Sequence, residues 1–415
     1  MSAPLERAVA QRKEAIEAAM EMFERGAEVL ASAVGELLPL CTAAAPVLRL
    51  ALHNVQSKEV FYVKEQFLAV RGRLDALSGQ LDDVDGELRR SRLDARYFGA
   101  EENVRNQFRK YMDILEAKPE FRAVKSRLFR EHFARTGGEK NLCVLYEAVM
   151  GLNSFGESVL DVVERYVARN RRLLEEFCAR LKELFCLGLI ALLGHVALTT
   201  RGDEEDEEDE KTRDWSGRVD RVESKMKAAV EACVAAFPEQ ARADAERLLK
   251  ERDGRQEELP DVARALREFL AGKYDWVSWS VRVINHAAGS TYRKWRAGEH
   301  FHHVAGRNWF EVLQVNNVNL VVSYREEGGG AAAAAAAAPP QKVPRELIQQ
   351  LMTEGPGRKG NAQAVVEVLE KQLQGGGFVV HAVSRHTESA AAWSFPEESH
   401  YWERHKNVAV CVHPE

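Results

Sequence analysis

From Val60 to Leu88 the apolar residues fall at Val60, Val63, Phe67, Val70, Leu74, Leu77, Leu81, Val84 and Leu88, in steps alternating three and four. Such steps lay one narrow seam along a helix, the seam that a bundle or coiled coil buries. Lys64, Glu65, Arg71, Arg73, Asp75, Asp82 and Asp83 fill the other faces. Gly72, Gly79 and Gly86 lower helix propensity but lie outside the seam.

The same spacing returns from Ser158 to Leu198, with Val159, Val163, Tyr166, Leu173, Phe177, Leu181 and Leu184 apolar and Asn170 as a polar seam residue. One long helix is predicted there, with Asn170 fixing register. Between these stretches, Val104, Phe108, Tyr111 and Leu115 share a helical face, "RTGGEKN" is a turn, and "NLCVLYEAVMGL" is a further helix. The pattern predicts helix for most of the first 270 residues.

The end of the second long helix has no polar face. Leu184–Thr200 carries no formal charge over 17 residues. As a helix it spans about 26 Å, against ~30 Å for a hydrocarbon core. Gly188, Gly194 and His195 weaken its apolarity. A buried core helix is the reading that continues the seam from Val159. The alternatives are a membrane-inserting element, as in helical pore-forming proteins, and a permanent span. Membrane contact would fall on Leu187, Leu189, Ile190, Leu192 and Leu193. A second apolar segment, Val29–Leu52, contains Glu36, Pro39, Pro46 and Arg49, and reads as a kinked buried helix. The acids Asp203–Glu210 read as a solvated loop over 203–214.

The period changes near Lys273. Val277, Trp279, Val281 and Val283 alternate, as do Val318, Leu320, Val322 and Tyr324, with Asn316–Asn317 as a hairpin turn. "GFVVHAVSRH" and "HKNVAVCVH" are further strands, and Val343–Thr353 and Asn361–Gln374 are helices. Gly328–Pro340 is a low-complexity linker. The fold class expected is mainly α: an elongated helical bundle or coiled-coil hairpin followed by a smaller α+β domain. Residues 1–202 form the long-helix bundle, 203–214 the acidic loop, 215–272 further bundle helices, and 273–415 a domain rich in Trp and His.

A net charge of -6 argues against a dedicated nucleic-acid binder, which carries a basic excess, and leaves room for a local basic patch. Six cysteines lie far apart without CxxC, as reduced, mostly buried thiols. The N-terminus has no apolar h-region. These features predict a cytoplasmic protein, with membrane association kept open by the apolar helix.

"ENVRNQFRKYMDIL", "LYEAVMG", "KYDWVSWSVRVIN" and "YWERHKNVAVCVHPE" together resemble the rapunzel-like proteins of vertebrates, best known from fishes. The acidic run and the alanine tract depart from that pattern. The resemblance implies a role in fin and skeletal growth and supplies no catalytic residues.

Direct tests for chemistry agree. "GPGRKG" (Gly355, Gly357, Gly360) matches a dinucleotide fingerprint but follows a helix, where the fingerprint needs a strand. His300 and His302 share a strand face, weak candidates for two metal ligands, with His381 or His405 as a third. No cysteine shows a histidine partner by motif, and no nucleophile elbow is present. Tryptophans at period two read as core in preference to base- or sugar-stacking groups. Arg165, Arg169, Arg171 and Arg172 lie beside Glu164, Glu175 and Glu176, a solvated face or a lipid-attracting one. The expectation is a non-enzymatic interaction or scaffold protein without cofactor, with a protein partner, homo-oligomerisation or a membrane surface as contacts.

Overall fold

A computed structural model describes residues 10, 13–24, 38–55, 57–90, 94–200, 205–252, 258–285, 301–327, 341–354, 361–373, 377–384 and 387–415. The chain divides into two compact units, Met1–Ala235 and Ala236–Glu415.

The first unit is helical: α1 (Lys13–Glu24), α2 (Leu38–Thr42), α3 (Ala44–Leu52), α4 (Lys58–Gln80), α5 (Asp82–Arg90), α6 (Asp94–Glu116), α7 (Pro119–Arg135), α8 (Lys140–Met150), α9 (Val159–Tyr166), α10 (Arg171–Thr199) and α11 (Glu205–Ala235). The seam from Val60 is built as two helices. Leu81 breaks the run and keeps helical hydrogen bonds on both sides, to Leu77 and from Asp85. Val63, Phe67, Val70, Leu74, Leu81, Val84 and Leu88 are all buried. The seam packs in a bundle around α10, not in a two-helix hairpin: α10 touches α2, α3, α4, α6, α7, α8, α9 and α11.

The second long helix is also divided. Val167–Asn170 leave the helix, with Ala168 and Arg169 at positive φ (48° and 63°). Asn170 is therefore an N-cap: its side chain accepts from the Leu173 amide at 3.3 Å. A capping carboxamide satisfies an amide that has no partner inside the helix. The seam role expected for Asn170 is replaced by this one.

The acidic loop expected over 203–214 is mostly helix, because Glu205–Glu210 open α11. Acids there sit at the positive end of the helix dipole. Glu208 also pairs with Arg49 of α3 at 2.8 Å.

The second unit begins with two helices that the sequence assigns to the bundle, α12 (Phe237–Glu251) and α13 (Leu259–Lys273). Pro238 stops a continuation of α11, and Phe237 inserts among Tyr274, Trp276, Trp279 and Tyr324. A helical period shows that a face is buried, and not which core receives it. The bundle expected over 215–272 therefore ends at Ala235.

The remaining elements are β1 (Val277–Asn285), β2 (His302–Ala305), β3 (Trp309–Val315), β4 (Val318–Glu326), α14 (Arg345–Glu354), α15 (Ala362–Leu373), β5 (Phe378–Ser384), β6 (Ser389–Trp393), β7 (Tyr401–Arg404) and β8 (Val408–Pro414). They form two antiparallel sheets, ordered β3-β4-β1-β6 and β2-β5-β8-β7. Asn316 and Asn317, both at positive φ, turn the β3–β4 hairpin as expected. Helices α12 and α13 cover one face of the first sheet, and α15 one face of the second. The other two faces meet through Ile284, Val321, Val383 and Ala409. The unit is a four-layer helix–sheet–sheet–helix sandwich, so β1 is buried on both faces. The linker at 328–340 lies outside the described residues.

Candidate functional site

The apolar helix comes first, since it decides the membrane question. Leu187 and Ile190 are fully buried, and Leu189, Leu192 and Leu193 are 3% exposed. By length and composition α10 is able to cross a bilayer, yet 83% of its most apolar stretch is covered by its neighbours. Its glycines are packing notches. A Cβ on Gly188 would lie 2.4 Å from Leu142, and one on Gly194 would lie 2.4 Å from Tyr111. All five positions expected to contact a membrane are packed inside the bundle in this state, within the wholly buried stretch Leu184–Gly194. A permanent span is not favoured, and insertion would require the bundle to open.

Charged groups on the same helix are buried in pairs. Arg180 meets Asp85 at 2.6 Å and Glu101 at 2.9 Å, and Lys182 meets Glu223 at 3.2 Å. Glu183 lies close to Arg73 and Arg105, yet burial pushes its pKa up to about 8. The basic cluster is no free patch either: Arg165 pairs with Glu157, Arg169 with Glu164, Arg171 with Glu175 and Arg172 with Glu176.

The richer chemistry lies between the two sheets. Residues paired across β1 and β4 share a face, which places Ser280, Arg282 and Ser323 in the inter-sheet layer. Across β5 and β8 the same rule places His381, Cys411 and His413 there. Arg282 is fully buried. Its Nε donates to His381 Nδ1 at 3.1 Å, and its Nη1 donates to the Ser280 carbonyl at 2.9 Å and to Ser323 Oγ at 2.6 Å. Ser323 also bonds His413. Among the described residues no carboxylate pairs with Arg282, and its Nη2 has no partner. The guanidinium is held by neutral dipoles alone. Burial first, and the Arg282 charge second, push His413 down to about 3 and His381 well below the usual histidine range; burial, then His413 and Arg282, do the same to His400.

His302 sits on β2 facing His381, with ring centroids 5.2 Å apart, and 3.8 Å from Glu311. The structure thus brings together two members of the proposed ligand set, His302 and His381. His405 is held instead by Tyr401 at 2.9 Å, and His300 lies outside the described residues. The pair does not suit a cation, because Arg282 donates to His381 and projects its charge into the same space. Among the described residues no three potential ligands converge.

The sequence did not reveal that His400 Nε2 lies 2.7 Å from Ser280 Oγ and 3.5 Å from Cys411 Sγ. Spacings of 120 and 11 residues carry no motif, and only the register joins them. This is no poised nucleophile: Ser280 and Cys411 are enclosed, and burial pushes the Cys411 thiol up. All six cysteines are free thiols, five of them buried.

His400 also reaches the edge of the sandwich. There it helps line an open cleft of about 460 Å³ with Arg345, Trp393, Glu397, Glu398 and Trp402. The segment from Ser394 to His400 crosses from β6 of one sheet to β7 of the other and forms its floor. Arg345 donates to the carbonyls of Glu397 and His400, which pins this crossing. The tryptophans therefore divide. Trp276 and Trp279 are core, whereas Trp393 is 37% exposed.

No solved structure matches the chain. Residues 54–254 match the family described as the cephalotoxin-like middle helical domain, a stretch that runs past the unit boundary through α12. The protein rapunzel of Danio rerio is 33% identical over 205 residues, 49% of this chain and 88% of that protein. The likeness is thus matched over half of the chain, and most of the relative is covered: the chain belongs to the rapunzel-like family.

Proposed function

We propose that the protein is a non-enzymatic interaction protein of the rapunzel-like family, acting in the control of fin and skeletal growth. The observation that carries the interaction reading is the outer face of α7. Phe121 is 55% exposed, and Val124 and Leu128 are each 45% exposed. They stand at i, i+3 and i+7, the spacing with which a helix presents apolar anchors to a groove in a partner. The inner face of α7 is fixed by Phe129, Phe133 and Arg122, which bonds the Ala51 carbonyl and Asn54. The stripe is thus displayed from a rigid base. The growth role is part of the same proposal and rests on the resemblance to the rapunzel-like proteins alone.

The test uses the full chain as bait in extract from growing fin tissue, compared with the variant Phe121→Ser/Leu128→Ser. Proteins retained by the wild type and lost by the folded variant are then recombined with it in pure form. A partner that binds the wild type at least tenfold more tightly supports the reading. A set of retained proteins that is identical for the two baits overturns it.

A further inference from the structure

The cleft at the sandwich edge is built from groups that the interaction reading leaves unused. Its walls come from the two sheets: Trp393 closes β6, and Trp402 stands on β7. Trp393 stacks one face on His400, centroids 4.4 Å apart and planes 14° apart, and still keeps 37% of its surface exposed. An indole held flat by a ring behind it is a ready platform for an apolar ligand face.

The polar groups around these indoles are mixed in sign. Glu398 pairs with Lys342, and Arg345 balances Glu397, so the local charge sums to zero. That balance disfavours a phosphate or a strongly cationic ligand. His400 is 2% exposed, and its Nδ1 has no hydrogen-bond partner. His400 thus serves the cleft as a fixed, buried backing for the Trp393 indole. Donors and acceptors therefore alternate around two apolar walls, which is the pattern that hydroxyl groups on a flat ring complement.

We propose that this cleft binds a neutral saccharide. One pyranose face packs on Trp393 and Trp402, its hydroxyls accept from Arg345, and they donate to Glu397 and Glu398. The volume of about 460 Å³ lies within the range of small-molecule sites and admits about one or two sugar rings. The position is independent of α7, so the two readings stand or fall separately.

The test is ligand-observed NMR with tryptophan fluorescence on the full chain. The probes are glucose, galactose, mannose, N-acetylglucosamine and their disaccharides, with sialyllactose and inorganic phosphate as the anionic arm. At least one neutral sugar is expected to bind, with affinity reduced about tenfold or more by Trp393→Ala. Glu397→Gln, an exposed change that leaves the indoles in place, is expected to weaken the same sugar by a smaller factor. Phe121→Ser is expected to leave it unchanged. The proposal is overturned if no neutral sugar binds at tens of millimolar, if binding survives Trp393→Ala at full strength, or if only the anionic probes bind.

Discussion

The helical unit and the sheet unit bury charge by opposite rules. In the bundle, Arg180 meets Asp85 and Glu101, and Lys182 meets Glu223. In the sandwich, Arg282 is enclosed by two serines and an imidazole, with no carboxylate against it among the described residues. The first arrangement offsets desolvation by attraction between opposite charges. The second relies on oriented dipoles and on histidines that stay neutral. The bundle is therefore sensitive to the loss of a partner, and the sandwich to the gain of a proton.

The largest effect is expected from Leu189→Asp, which places an unpaired charge where the side chain is 3% exposed. A loss of several kcal/mol is expected, enough to abolish the cooperative helical transition in circular dichroism. Phe121→Asp, at a residue 55% exposed, is expected to leave that transition in place. Equal damage from both would remove the distinction between a sealed helix and a displayed one.

Acid sharpens the contrast next. His381, His400 and His413 have folded pKa values below the 6.5 of the free side chain. As pH falls through 6.5 the unfolded chain takes up protons that the folded layer refuses. Stability of the sheet unit is therefore full above pH 6.5 and falls between 6.5 and about 3. The loss is up to about 1.4 kcal/mol per pH unit for each histidine. Glu183 runs the other way. Its folded value of about 8 exceeds the free 4.5, so its contribution is complete below pH 4.5 and is lost as pH rises toward 8. Urea melts at pH 7, 5 and 4 should show tryptophan fluorescence losing stability with acid. Glu183→Gln should stabilise the helical signal most at pH 8. A Glu183→Gln effect that is flat with pH would remove that residue from the comparison.

Gly194→Ala tests packing alone. The added Cβ would lie 2.4 Å from the Tyr111 ring, whose hydroxyl is held on the Ala44 carbonyl at 2.8 Å. A ring so anchored has little room to retreat, and a loss of about 1–3 kcal/mol in thermal melts is expected. The smallest effect is expected from Asn170→Ala, which removes the α10 cap for about 1 kcal/mol. Asn170→Asp should keep most of that stability, an outcome that a register role for Asn170 would not give.

Most of the bundle was legible because burial there follows a period. Val63, Phe67, Val70 and Leu74 announce their buried face through spacing alone. The breaks were harder to see. Leu81 is apolar and in phase with the seam, so nothing in the pattern marks it as a boundary. Ala168 and Arg169 take positive φ without a glycine to signal it. The acids Glu205–Glu210 were misread because polarity signals exposure and says nothing of helicity. In the sandwich, alternation identified the strands. The site was less visible: Ser280, His400 and Cys411 meet through strand register, which depends on which strands become neighbours. Trp393 differs from Trp279 only in lying on an edge strand, and edge position is a property of topology.

The two notches in α10 carry a consequence for sequence change. Gly188 receives Leu142 of α8, and Gly194 receives Tyr111 of α6, at positions six residues apart. A slip of one residue along the axis shifts the helix by about 1.5 Å and turns it by about 100°. That would put Leu189 and His195 where the clasping side chains now enter, and neither has room. The helix has one seat and no adjacent one. Apolar residues elsewhere along it can be exchanged for others of similar volume, whereas these two small positions act as a key that only one alignment fits.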